Sequence, residues 1–342
     1  MSAVAPPVVC RVVREPFVEC FHRGDMVFAD ASGRILASFG DPGKKTYMRS
    51  SAKLVQVLPV IESGAAARFG FTDREIAVMC GSHNGQDEHV ETVRGILAKL
   101  GLDEGSLGCG VHTPLYHPQA VKIIQSGESV SPAFNNCSGK HAGMLAVSVH
   151  LGLPLERYWE GGHPVQKLMR RTVAEVADYP EDDIAVGVDG CGVSVFALPL
   201  LNMATAYAKF ASPDVFHEPR RRAAARVMEA VAANPFMIAG TGRLCTDLAE
   251  ATHGRIIGKE GADGVYCAAV RDRGAGFAFK VEDGSSSVMG PVVVSALLQM
   301  GMLSETEACA LRNWRSPRVT NHRGEDVGYL EAVFELDGAC CG

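Results

Sequence analysis

The residues best suited to chemistry begin at Arg49-Ser-Ser-Ala-Lys53. A helix starting near Ser50 puts Lys53 one turn on and on the same face, its amine within reach of the Ser50 hydroxyl. A serine alcohol is a poor nucleophile until a neighbouring base takes its proton. Lysine serves as that base only if its ammonium is destabilised, by burial or by the positive end of the helix dipole. Pro59 is expected to end or kink the helix. On its own the S-x-x-K spacing fits a serine cap beside a solvated lysine equally well. Two further elements follow it, Ser82-His-Asn84 and Lys259-Glu-Gly261. Lysine–serine acyl transferases of the penicillin-binding and β-lactamase type use these three elements in this chain order. One Ser–Lys pair attacks, while a second Ser and a second Lys relay protons to the leaving group. Lys99-Leu-Gly101 also fits the third element, and neither Lys-x-Gly has the usual Thr or Ser in its middle position.

A second constellation is Asn135-Asn-Cys-Ser-Gly-Lys-His141. Its Gly-Lys pair is not a P-loop, because Phe134 stands where the first glycine belongs and His141 where Ser or Thr belongs. Cys137, Lys140 and His141 fall on one helical face. Cys191 lies in the glycine-flexed turn Asp189-Gly-Cys-Gly192. Two thiolates brought together by the fold would suit zinc, although the chain has no C-x-x-C and a cysteine pair fits core packing as well. Gly240-Thr-Gly-Arg243 lacks the third glycine of a dinucleotide fingerprint and reads as a loop entering a helix. His83, His89, His112 and His117 show no metal-ligand spacing and read as ordinary surface or core residues.

The elements that must position these groups show in the hydrophobic pattern. Val8–Val13, Val18–Phe21, Met26–Ala29 and Arg34–Ser38 are short β-rich runs, with a turn at Asp30-Ala-Ser-Gly33. Val90, Val93, Leu97 and Leu100 mark one face of a helix. Leu168, Thr172 and Val176 mark another, and the segment after Arg220 a third. Ile184–Val188 and Val193–Leu198 read as strands around the Asp189 turn, Gly276–Val281 as a strand and Pro291–Met302 as a helix. The expected class is α+β: an antiparallel sheet from both chain ends, residues 1–48 and 255–342, around a mainly helical region, 49–254. No linker divides the 342 residues, so a single domain with two lobes is expected.

Composition narrows the function. With 47% hydrophobic and 21% charged residues the chain is an ordinary globular protein. A net charge of −6 and a pI near 6.0 argue against a nucleic-acid partner. The one basic run, Arg220-Arg-Arg222, reads as a solvated helix end. Met1–Pro7 lacks the features of a secretory leader. With 11 cysteines, an odd number, a reducing cytoplasmic location is expected. Gly284–Ser304 is uncharged but interrupted by Gly290, Pro291, Ser295 and Gln299, which favours a buried helix over a membrane span.

Taken together, Arg49-Ser-Ser-Ala-Lys53, Cys80-Gly-Ser-His-Asn-Gly85, Asn135-Asn-Cys-Ser-Gly-Lys-His141, Val188-Asp-Gly-Cys191, Ala239-Gly-Thr-Gly-Arg-Leu-Cys245 and Gly258-Lys-Glu-Gly-Ala-Asp-Gly264 resemble the Rhizobium-type (class 3) L-asparaginase II family. The resemblance runs over nearly the whole chain. It implies a serine β-lactamase-like fold, a homodimer, and hydrolysis of L-asparagine to L-aspartate and ammonia. It also implies that Ser50 and Lys53 form the first Ser–Lys pair, and Ser82 and Lys259 the second. Cys137, Lys140 and Cys191 would ligate zinc with a water, and Arg49, His141 and Asp189 would line the substrate pocket. Another Ser–Lys acyl transferase, acting on glutamine, a peptide or a β-lactam, and a zinc-binding protein without acyl chemistry are the alternatives.

Overall fold

The structure, a computed structural model, describes residues 5–336. Met1–Val4, part of the stretch read above as lacking a leader, and Cys340 and Cys341 lie outside the described residues. The class is α+β, as expected. The chain forms two compact units: Met1–Ser51, Leu198–Ser212 and Asp247–Gly342 make the first, and Ala52–Ala197 with Pro213–Thr246 the second.

The first unit is built on an antiparallel sheet of β1 (Val8–Arg14), β2 (Phe17–Asp30), β3 (Ile35–Phe39), β4 (Ile256–Gly261), β5 (Val265–Val270), β6 (Ala275–Val281), β7 (Arg318–Thr320) and β8 (Asp326–Ala332). The order is β7-β8-β1-β2-β6-β5-β4, with β3 also paired to β2. Val18–Phe21 and Met26–Ala29, expected as separate strands, are one continuous strand. Residues Phe17–Arg23 of β2 pair with β1, and Gly24–Asp30 pair with β6. At that change of partner a Cβ on Gly24 would lie 2.6 Å from the Lys280 carbonyl oxygen, so glycine is needed where the backbones close up. Strands β5 and β6 are buried almost throughout, as the central strands of a covered sheet should be. The helix Leu200–Ala211 covers one face, and Gly276 admits its backbone at Ala204.

The second unit is mainly helical. Its helices include α1 (Lys53–Glu62), α2 (Asp73–Met79), α3 (Asp87–Leu100), α4 (Ser138–Leu151), α5 (Pro164–Val176) and α6 (Arg220–Ala233). Helix α1 is buried from Lys53 to Val60 and packs against α4, α5 and α6, as befits a helix apolar on nearly all sides. Pro59 does not end it; the helix runs on to Glu62. The hairpin expected around Asp189 is present, with Ala185–Val188 paired to Ser194–Ala197. Arg220 is not a solvated end: it pairs with Glu62 and Glu175, while Arg221 and Arg222 pair with Glu218. Among the described residues no helix is long and apolar enough to cross a membrane, and nine cysteines are free thiols.

Candidate active site

Ser50 lies in a 3-10 turn, Arg49–Ala52, and Lys53 opens α1. Lys53 is completely buried. Its Nζ lies 2.6 Å from the Gly81 carbonyl oxygen, 2.9 Å from Ser82 Oγ and 3.3 Å from the Asn136 carbonyl oxygen. Carbonyl oxygens only accept, so two N–H bonds are committed to Gly81 and Asn136. The Ser82 hydroxyl accepts from an ammonium and donates to a neutral amine, and the Cys137 thiol is a further partner. One proton therefore has a ready path between Lys53 and Ser82. Burial lowers the Lys53 pKa, with Lys140 adding to the effect, while Cys137 and Cys191 oppose it. The helix N-terminus also disfavours the cation.

The loop after α2 is held as firmly as the lysine. Ser82 N–H donates to the Ile238 carbonyl and Asn84 N–H to that of Ala239, both at 2.8 Å. The Asn84 side chain spans from the Thr241 carbonyl (2.9 Å) to Arg243 Nη1 (2.7 Å). The Gly240-Thr-Gly-Arg243 loop, read above as the lead into a helix, does precede one, Leu244–Ala251, and it also braces the Ser-x-Asn element. His83 is fully buried. Its Nδ1 accepts the Gly85 N–H at 3.1 Å, which leaves the proton on Nε2 to reach Ser138 Oγ at 2.8 Å. Ser138 begins α4, so His83 links the Ser82 loop to the helix carrying Lys140. Burial holds the His83 ring well below its ordinary pKa, that is, neutral.

Cys137 caps α4 and is set by Asn135, whose Oδ1 accepts the Cys137 N–H at 2.9 Å while its amide nitrogen binds the Cys109 carbonyl. Gly139 allows α4 to seat against the end of α2, because a Cβ there would run into the Val78 carbonyl. Lys140 Nζ donates to Cys191 Sγ at 3.2 Å and lies 4.0 Å from Asp189 Oδ2. The hydrogen bond from the Cys137 thiol, helped by Lys140, holds Cys191 down at about 5. The same bond and burial push Cys137 up to about 12. Burial works against the Lys140 charge, but Cys191, Cys137 and Asp189 outweigh it and its pKa is raised. His141, the next residue, is fully buried, with Nδ1 2.6 Å from the Tyr158 hydroxyl. Burial and Lys140 hold its pKa near 3. The second unit thus brings together Lys53, Ser82, Cys137, Lys140, His141, Asp189 and Cys191.

Arg49, Ser50 and Lys259 belong to the first unit. Arg49 has φ +50°, a left-handed conformation uncommon for a side chain of its size, and its guanidinium pairs with Asp263. Lys259 is completely buried on β4, opposite Cys267, and donates to the Glu260 carbonyl at 2.7 Å. The competing Lys-x-Gly lysine, Lys99, lies in the last turn of α3 and pairs with Glu75 at 2.6 Å.

The model of the L-asparaginase II family matches residues 10–332. The chain belongs to that family. An L-asparaginase II chain is an amidohydrolase, and it acts on a small molecule. Among solved structures it is similar to a β-lactamase from Mycobacterium bovis, with 12% identity over 82% of this chain and 95% of that one and a TM-score of 0.39. It is also similar to a protein assigned as a β-lactamase from Bacteroides dorei DSM 17855, with 14% identity over 75% and 84% of the two chains and a TM-score of 0.37. No curated protein matches it. In this asparaginase II chain the sequence reading missed His83, Asn135 and Tyr158. The Asn135-x-Cys137 spacing, that of an Asx turn, pointed to the second of these. No local spacing links Tyr158 to His141.

Proposed function

We propose that the protein is an L-asparaginase that hydrolyses L-asparagine to L-aspartate and ammonia through an acyl-enzyme on Ser50. The observation that carries this reading is the buried Lys53 amine, held by two carbonyls and hydrogen-bonded to Ser82, in a chain of this family. Ser50, three residues before Lys53, attacks the side-chain amide carbon while Lys53 takes its proton. Lys53 passes that proton on through Ser82, with Lys259, to the departing nitrogen, which leaves as ammonia. Water then adds to the acyl carbon, Lys53 takes its proton and returns it to the Ser50 oxygen, and aspartate departs with both residues regenerated. Arg49, His141 and Asp189 are assigned to substrate binding. Ammonia release from L-asparagine and from L-glutamine, by wild type beside Ser50→Ala, tests the reading. Turnover of asparagine that Ser50→Ala abolishes is expected. Ammonia from glutamine alone would replace the substrate, and a fully active Ser50→Ala would remove the serine mechanism.

We also propose zinc as the resident metal, held by Cys137, Lys140 and Cys191. Two sulfur donors and an amine are the N/S set zinc takes in proteins, and these three converge in a buried, polar place. Among the described residues no group of three or more His, Cys, Asp or Glu side chains forms a metal site, so the lysine amine is needed as a donor. It must lose its proton to ligate. When bound, the metal would supply a fixed positive charge beside the substrate. Elemental analysis should find about one zinc per chain in wild type and none in Cys191→Ser; equal metal content in both would refute the assignment.

A further inference from the structure

His141 uses one of its two ring nitrogens. Nδ1 faces the Tyr158 hydroxyl at 2.6 Å, and Nε2 is buried with no hydrogen-bond partner among the described residues. Tyr158 is itself completely buried, and its oxygen accepts the Gly108 N–H at 2.9 Å. That amide is fixed by packing, because Gly108 lies flat against the Trp159 indole and a Cβ there would enter the ring. The phenol proton still needs an acceptor, and Nδ1 is the one beside it. Were Nδ1 to carry a proton instead, the hydroxyl hydrogen would be buried with nowhere to go. The imidazole proton therefore sits on Nε2.

We propose that Tyr158 is a positioning residue that locks His141 in its Nε2–H tautomer, so that the ring presents a hydrogen-bond donor to an acceptor oxygen of the substrate. The opposite tautomer would present an Nε2 lone pair, an acceptor facing the acceptor oxygens of an asparagine-like substrate. The proton count set by Gly108 and Tyr158 selects the donor. The donor also suits the place: His141 follows Lys140 in the first turn of α4, the turn whose lysine reaches Cys191. The amide oxygen and the two carboxylate oxygens of an asparagine-like substrate are acceptors.

The tautomer can be read directly. Long-range 1H–15N spectra of the full chain carrying 15N-histidine, with the His141 signal identified by its loss in His141→Gln, should show the Nε2–H pattern, with and without added zinc. An Nδ1–H pattern, or an Nε2 signal displaced by zinc binding, overturns the proposal. In Tyr158→Phe the pattern should change to a mixture of tautomers; an unchanged pattern removes Tyr158 from the role. If that variant does not fold, the wild-type spectrum still decides. The kinetic arm rests on the asparaginase reading. In Tyr158→Phe, KM for L-asparagine should rise roughly tenfold, the loss of about one hydrogen bond, with kcat changed less than about threefold. An unaltered KM overturns the donor role. A wild type inactive on asparagine would defeat the substrate assignment while leaving the tautomer result standing.

Discussion

Of the groups that Lys53 bonds, the Gly81 and Asn136 carbonyls can only accept, whereas the Ser82 hydroxyl can accept or donate, so the proton can pass between Lys53 and Ser82. Lys53→Met keeps the bulk of the side chain in the core and removes the proton acceptor. It should lower kcat for ammonia release by about 10²- to 10⁴-fold, the usual weight of a general base, with an unchanged circular dichroism spectrum. His89 makes a different case. It donates to the Phe236 carbonyl at 3.0 Å and is stacked between His83 and Phe236. Burial lowers its pKa from the ordinary 6.5 to about 4. Between these values the unfolded chain binds the extra proton, so the contribution of His89 to stability is complete above the upper one and is lost as pH falls toward the lower. The buried rings of His83 and His141 act in the same sense. His89→Gln should flatten the fall of the urea midpoint with acid across that window, and an identical slope would exclude the residue. At this scale the sequence exposed the reactive types at Ser50, Lys53, Ser82, Cys137 and Cys191. It could not show that His83, Asn135 and Tyr158 hold them, because those links are made by folding and not by spacing.

Among the elements, α4 carries the most, since its first turn supplies both Lys140 and His141 and its cap supplies Cys137. Its seat against α2 depends on the missing side chain of Gly139. Gly139→Ala should push that turn outward and cost about 1–3 kcal/mol, the range for overpacking. A thermal melt with a parallel zinc titration checks it; a melt and a metal affinity equal to wild type would refute the packing argument. Periodicity located the helices marked by Val90, Leu168 and Arg220, because each buries one face, and the β-rich runs on either side of Asp189 located the strands there, although Ala185–Val188 lies mostly exposed. It split β2 in two, since Gly24-Asp25 resembles a turn when the close approach of β6 is unknown. It also expected Pro59 to end or kink α1; the helix runs on to Glu62 because the packing that carries it is made by residues distant in sequence.

In the molecule as a whole, the two units alternate along the chain, which passes from one to the other four times, after Ser51, Ala197, Ser212 and Thr246. Neither is a continuous stretch that could be cut out. A chain ending at Thr246 retains β1, β2 and β3 but lacks β4 through β8, so β2 loses β6 and β1 loses its outer neighbour. Such a chain should be insoluble or show no cooperative thermal transition by calorimetry. A sharp transition would mean that the second unit holds itself together alone. The net charge and the α+β class were legible from composition and pattern, but this alternation was not, because no linker of distinctive composition marks the crossings.

The pairing of β1 with β8 sets a clock on synthesis. Arg11 and Glu331 are 320 residues apart along the chain, yet their side chains meet at 2.6 Å. At ribosomal speeds of about 5–20 residues per second, β1 leaves the ribosome tens of seconds before its partner exists. Through that interval β1 can pair only with β2, itself joined to β3, so β1 keeps a bare outer edge and Val9, Cys10 and Val13 lack their final cover. Slower translation lengthens the exposure, so the yield of soluble protein should depend on how fast the last third of the message is read and on how well chaperones shield the first.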